Sequence, residues 1–275
     1  MGNEMSLNAE QVQLGYDGST IIENLSVEVP MQQVTALIGP NGCGKSTLLK
    51  GLAGLLRPTR GGIELNGRSL ESWPRRELAF EVAMLPQKPV APEGIRVREL
   101  VEYGRFPYQG LMRGASREDR AVVAWAMEQT GVAGYAEKPV QALSGGQQQR
   151  VWIAMAIAQQ ANILLLDEPT TFLDWGHQLE VLELLAKLNR EQKLTVVMSL
   201  HDLNQAAQFA DHVLVMQQGT LLAAGAPKEV IETEMLASVF NVDADVEIRA
   251  DGKPYCLAKG SMNRCRAPEW MKDAV

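Results

Sequence analysis

The chain has 275 residues, 46% of them apolar, with 33 acidic against 26 basic side chains and a formal charge of −7. That length buries a full core, either as one large domain or as a domain carrying an inserted lobe, and the composition excludes a disordered tail protein. The net charge disfavours a general nucleic-acid binder, and no apolar run approaches the length needed to cross a bilayer.

Taken in chain order, residues 12–16, 21–22 and 25–29 alternate around Asp17-Gly18, which predicts a small antiparallel sheet. Val34–Ile38 is a short β-rich run that ends at Gly39, and Leu48, Leu49, Leu52, Leu55 and Leu56 then recur at helical spacing, giving strand, loop, helix. Between about 88 and 158 the β signal fades and helical patterns dominate, for example 121–130 with Gly131 as a stop, so an inserted helical lobe is expected there. Apolar runs at 163–166, 195–198 and 213–216 lack period-2 alternation, as strands buried on both faces of a parallel sheet do, and helical stretches at 177–190 and 202–209 separate them. The expected class is therefore α/β, with a mostly parallel sheet over residues 1–235. From about 236 to 275 the sequence turns mixed, and this extension is expected to be loosely held.

The chain opens without a basic and then apolar leader, which predicts a cytoplasmic protein. Cys43, Cys256 and Cys265 form no C-x-x-C pair, so neither a disulfide framework nor a zinc site is expected. Charge is uneven: residues 57–120 hold twelve basic against nine acidic side chains. That excess suits a solvated helical face or a lobe turned towards a membrane or partner.

Three motifs carry chemistry. Gly39-Pro40-Asn41-Gly42-Cys43-Gly44-Lys45-Ser46-Thr47 fits G-x-x-x-x-G-K-[ST], in which glycines let backbone N–H groups curl round phosphates at a helix start. Lys45 then reaches the phosphates as a point charge, and the Ser46 hydroxyl serves Mg²⁺. Cys43 lies close to that helix start, where a thiol pKa can be lowered, although the loop tolerates many residues at that position. Asp167-Glu168 ends an apolar strand, an arrangement that holds Mg²⁺ with the first carboxylate and polarises a water with the second. Taken alone, it also fits an ordinary strand end before a Pro-Thr turn. The third motif, Leu143-Ser144-Gly145-Gly146-Gln147, is a glycine-rich helix start that permits close backbone approach to negative charge. It reads equally as a simple helix cap.

Together with Gln87 in Met84-Leu85-Pro86-Gln87, Asp174 after Thr171-Phe172-Leu173, and His201 in Ser199-Leu200-His201-Asp202, these motifs resemble, in order, the nucleotide-binding subunit of ABC transporters. The resemblance covers roughly residues 6–235. It implies a P-loop fold that binds ATP and Mg²⁺, with Tyr16 stacking on adenine, although a tyrosine there also suits a hairpin or core position. It further implies that Ser144, Gly145, Gly146 and Gln147 contact the ATP held by a second copy in a head-to-tail dimer, and that Asp174 links the two sites. Glu168 is implied as general base, Asp167 as Mg²⁺ partner, Gln87 as the residue that senses Mg²⁺ and the attacking water, and His201 as the side chain aligning γ-phosphate and water.

Residues 98–108 (Arg98-Glu99-Leu100-Val101-Glu102-Tyr103-Gly104-Arg105-Phe106-Pro107-Tyr108) and the stretch from Thr170 through Leu182 resemble the branch that imports ferric siderophores, haem and vitamin B12, with the closest likeness to ferric-siderophore importers. Some of the aromatic rings of 103–108 are expected to pack inside the lobe, and His177 is expected to be structural. The resemblance implies a peripheral protein on the cytoplasmic face of the membrane, partnered by a permease and, through it, a solute-binding protein. No nucleic-acid partner is implied. An exporter subunit, or a soluble ABC ATPase of DNA repair or translation, is the competing reading; the long coiled coils, zinc clusters or paired nucleotide domains usual in the latter are missing from the sequence.

Overall fold

The computed structural model of the protein describes residues 6–109, 114–171 and 173–262; the readings that fall on Phe172, on Cys265 and on the rest of 263–275 lie outside the described residues. Strands β1 (Leu7–Tyr16) and β2 (Ser19–Val29) pair antiparallel around Asp17 and Gly18, both with positive φ (46° and 82°). β3 (Val34–Ile38), buried at every residue, feeds α1 (Lys45–Leu52). β4 (Arg60–Leu65) and β5 (Arg68–Ser69) complete an antiparallel sheet ordered β2-β1-β4-β5. Helix α2 (Arg75–Glu81) leads into β6 (Val82–Leu85), after which α3 (Val97–Glu102), α4 (Arg117–Gln129) and α5 (Gly145–Ala158) occupy a stretch without named strands.

Alternation returns with β7 (Ile163–Leu166), α6 (Trp175–Gln192), β8 (Thr195–Ser199), α7 (Leu203–Phe209), β9 (His212–Gln217) and β10 (Thr220–Gly225). The second sheet is ordered β10-β9-β3-β8-β7-β6, and every neighbouring pair is parallel except β10 with β9. The expected α/β class is borne out. Successive residues of these strands alternate between two cores: Ala36, Ile38, Leu164, Leu166, Val196 and Met198 join the helices on one face, while Leu37, Ile163, Leu165 and Val197 join α1 and the antiparallel sheet on the other. A strand covered on both faces has no polar side to show, which is why these runs are apolar throughout. Parallel strands also point their C-terminal ends to one edge, and Gly39, Gln87, Asp167-Glu168 and His201 all follow such ends.

The aromatic stretch meets expectation only at Tyr108, whose ring packs on Arg105 and Phe80. Tyr103 and Phe106 are exposed, Phe106 at 61%, and the side chain that goes fully inside is Arg105, 2% exposed. The cause lies in Gly104, where a Cβ would sit 2.2 Å from the Met155 carbonyl oxygen. That close approach seats the Tyr103–Arg105 turn on α5 and turns Arg105 inward. Its Nε donates to Asp119 Oδ1 (2.9 Å), and one terminal nitrogen donates to Ala158 O and Gln160 Oε1 (both 2.8 Å). Burial raises the Asp119 pKa, but hydrogen bonds from the Ser116 hydroxyl and N–H and from Arg105 outweigh it and hold the carboxyl below its usual range. Arg105→Leu would leave that buried carboxylate without its cation, and the expected loss is about 3–5 kcal/mol of stability. Urea unfolding checks this, and an unchanged midpoint would show that the pair contributes nothing.

The described part of the extension, up to Met262, holds more regular structure than expected. α8 (Pro227–Val230) and α9 (Thr233–Phe240) are followed by a hairpin of β11 (Val242–Ile248) and β12 (Pro254–Ser261), and α9 runs across position 235. The hairpin is tied to α7: Cys256 N–H donates to Asn204 Oδ1 (2.7 Å) and Asn204 Nδ2 donates back to the Cys256 carbonyl (3.2 Å). The missed signal is the alternation of Val242-Asp243-Ala244-Asp245-Val246-Glu247-Ile248, whose acids face solvent.

Candidate active site

The loop between β3 and α1 is shaped by two glycines. Gly39 has φ 151°, and a Cβ there would meet the Met216 carbonyl oxygen at 2.1 Å, so the loop leaves β3 directly against β9. Gly44 caps α1 at φ 106°, and the first helical bond runs from Leu48 N–H to the Gly44 carbonyl (2.9 Å). The backbone amides ahead of Leu48 therefore have no acceptor within the helix and sit at its positive end, a ready anion site. Lys45, 6% exposed, curls back so that Nζ donates to the carbonyls of Gly39 (2.8 Å) and Pro40 (3.0 Å). At Cys43 beside it the reverse of a lowering holds, because burial pushes its thiol pKa up more than the Lys45 charge lowers it.

A cleft of about 400 Å³ opens over this loop, lined by Ile21, Asn41, Gly42, Gly44, Lys45, Ser46, Thr47, Gln87, Glu168 and His201. Residues from five separate parts of the chain thus meet here. Glu168 is the hub: Gln87 Nε2 (2.5 Å) and Thr171 Oγ1 (2.9 Å) donate to its Oε2, and His201 Nε2 lies 2.7 Å from Oε1. Burial raises the Glu168 pKa, but the bonds from His201, Thr171 and Gln87 and the His201 charge prevail and keep the carboxyl below its ordinary value. It is ionised at neutral pH and can accept a proton.

Below it, buried Asp167 accepts from Ser199 Oγ (2.8 Å), and the same hydroxyl accepts the Glu168 N–H (2.8 Å). Sequence reasoning missed Thr171 and Ser199 as partners of the two carboxylates. Both stood in the quoted motifs, three residues after Glu168 and two before His201. Ser46, Gln87 and Asp167 offer only oxygen to a cation from their hydroxyl, amide carbonyl and carboxylate, and among the described residues no group of three or more His, Cys, Asp or Glu clusters as a metal site. Such a donor set fits a small hard cation that completes its shell with water and phosphate.

Of the expected contacts, Gly39, Pro40, Cys43 and Asp167 are not among the residues that line this cleft, and neither are Tyr16, the Ser144 motif and Asp174. Tyr16 ends β1 half-exposed, its ring 5.3 Å from Lys50 Nζ. Ser144 caps α5 in a reciprocal box: its Oγ accepts the Gln147 N–H (3.3 Å), and Gln147 Oε1 accepts the Ser144 N–H (3.1 Å). The first bond inside that helix is Gln148 N–H to the Ser144 carbonyl, so the amides of Gly145 and Gly146 have no acceptor within the helix at its start. Asp174 caps α6, accepting the His177 N–H (2.9 Å) with the His177 ring at 2.7 Å.

The family model for ABC transporters matches residues 22–171, spanning the phosphate loop, Gln87, the Ser144 motif and both carboxylates. The chain belongs to the ABC transporter family. An iron(3+)-hydroxamate import ATP-binding protein of Bacillus subtilis is 48% identical to this ABC ATPase over 92% of the chain and 94% of its own length. Among solved structures, a metal-chelate type ABC transporter in an inward-facing conformation superposes with a TM-score of 0.79 at 27% identity, covering 94% of this chain and 98% of its own. The dimeric bacterial cassette MJ0796 gives a TM-score of 0.72 at 28% identity, covering 80% and 98%. The α/β class and the family resemblance of this ABC ATPase are therefore both borne out.

Proposed function

We propose that this chain is the ATP-hydrolysing subunit that powers import of a ferric siderophore across the cytoplasmic membrane through a partner permease. The observation that carries the reading is the convergence of Gln87, Thr171 and His201 on the Glu168 carboxylate over the phosphate loop. Lys45 and the amides of the loop hold the phosphates of ATP. Ser46, Gln87 and Asp167 hold Mg²⁺, which when bound neutralises phosphate charge. Glu168 takes the proton of the attacking water, and His201, at hydrogen-bond distance from it, aligns that water with the γ-phosphate. Because Gln87 donates to Glu168 directly, it must let go before a water can take its place, and Gln87 precedes the helical lobe.

Two copies facing head to tail supply what one cleft lacks. Ser144 and the amides of Gly145 and Gly146 approach the γ-phosphate held by the partner, and Asp174 meets the seam. Tyr16 stacks on adenine. On the lobe, Ile95, Glu99, Glu102, Tyr103, Phe106 and Gln109 form a groove of about 280 Å³ that receives a cytoplasmic helix of the permease. No helix among the described residues is long and apolar enough to cross a membrane, so attachment at the cytoplasmic face runs through that permease.

The cargo is inferred from the similarity to the hydroxamate importer's ATPase. A deletion strain tested on single sources is expected to lose growth on one ferric siderophore and to keep uptake of haem and vitamin B12. Normal uptake of every iron chelate alongside failure of another solute would reject the cargo, and failure of an export process would reject import.

A further inference from the structure

We propose that Arg105 is a positioning residue that joins the permease-facing turn Tyr103–Arg105 to α5 as one rigid body, so that movement of the groove reaches Ser144 at the other end of that helix. The proposal rests on the docking reading above. Tyr103 and Phe106, which line the groove, stand on either side of Arg105 and face outward, while the guanidinium between them turns inward. It binds α4 through Asp119 Oδ1 and the exit of α5 through Ala158 O and Gln160 Oε1. The Tyr108 ring covers it at 3.6 Å, and Gly104 presses the turn's backbone onto α5. A planar fork with five donors can hold three acceptors on two elements at once, which an ammonium group on a flexible stem cannot.

The exit of α5 is also where the lobe meets the core. Gln159 Nε2 donates to the carbonyls of Ala79 (2.7 Å) and Val82 (3.1 Å), Arg76 Nε donates to the Pro107 carbonyl (2.6 Å), and Phe80 and Tyr108 meet edge to face at 4.9 Å. The pivot is therefore at the C-terminal end of α5; towards the Ser144 end the helix is held by Gln149 Nε2 to the Pro169 carbonyl (3.1 Å) and by Arg150 to Glu180 (2.5 Å), so a tilt carries or breaks these two contacts. The 14 residues of α5 span about 20 Å, so a tilt of ~10° at the pivot carries the far end ~3–4 Å, the length of a hydrogen bond. A push on the turn beside the pivot is thereby enlarged at the residues proposed to meet the partner's ATP.

The test uses the full chain with its permease in proteoliposomes and isolates the α5 link. Arg105→Lys keeps a cation beside Asp119 but gives up the fork that reaches Ala158 and Gln160. The variant is expected to retain basal ATPase and permease capture, while stimulation by the loaded solute-binding protein falls about tenfold. Wild-type stimulation would overturn the proposal. If basal activity also falls, Gln160→Ala decides: selective loss of stimulation supports the link, and normal stimulation overturns it. If the wild-type chain is neither captured nor stimulated by the permease, the docking reading fails and this proposal fails with it.

Discussion

Glu168→Gln will stop steady-state ATP hydrolysis and leave ATP binding intact. The carboxylate accepts from Gln87 and Thr171 and lies at hydrogen-bond distance from His201, and it is the group in the cleft placed and ionised to take a proton from water. A glutamine there keeps the volume and one accepting oxygen but cannot accept a proton, so turnover is expected to fall about 10²–10⁴-fold. Nucleotide binding is expected to survive because the phosphate-holding amides and Lys45 belong to a different segment. With hydrolysis blocked, the ATP-bound form should run as a dimer by light scattering, and adding Ser144→Arg should return it to monomer by filling the α5 start with bulk and charge. Near-normal turnover, or a monomer with ATP bound, would reject the assignment of Glu168 or of the shared seam respectively.

Lys45→Ala will act at the opposite step, on binding. Each charge-assisted hydrogen bond is worth about 1.5–3 kcal/mol, so loss of one or two from the phosphates should weaken ATP by ~10–100-fold or more. The fold should survive. Among the described residues Lys45 Nζ hydrogen-bonds to loop carbonyls and, more distantly at 4.0 Å, to the Cys43 sulfur, and α1 remains packed through Leu48, Leu49 and Leu52. Titration with a fluorescent ATP analogue reads the loss, and circular dichroism checks the fold; unchanged affinity would mean that the lysine does not reach the nucleotide.

These two residues were legible because their motifs are local. A glycine pattern between an apolar strand and a leucine-spaced helix needs no knowledge of the rest of the chain, and neither do two acids at the end of Ile163–Leu166. What could not be read was set by packing across distance. Arg105 goes inside only because Gly104 meets the Met155 carbonyl some fifty residues away, and aromatic neighbours then turn outward against the usual preference. The rise in the Cys43 pKa likewise follows from burial that a position near a helix start does not reveal. The hairpin at 242–261 is a different case: its period-2 pattern was present, and the mixed composition around it obscured it.

Glu168 also has a backbone φ of 53°, in the left-handed region that ordinary side chains occupy at a cost of roughly 1–2 kcal/mol. Glycine would rest there without strain, yet it would carry no proton acceptor. Selection for heat resistance and selection for fuel consumption thus pull this codon in opposite directions, and laboratory evolution under thermal pressure alone would tend to trade the engine for a more durable casing.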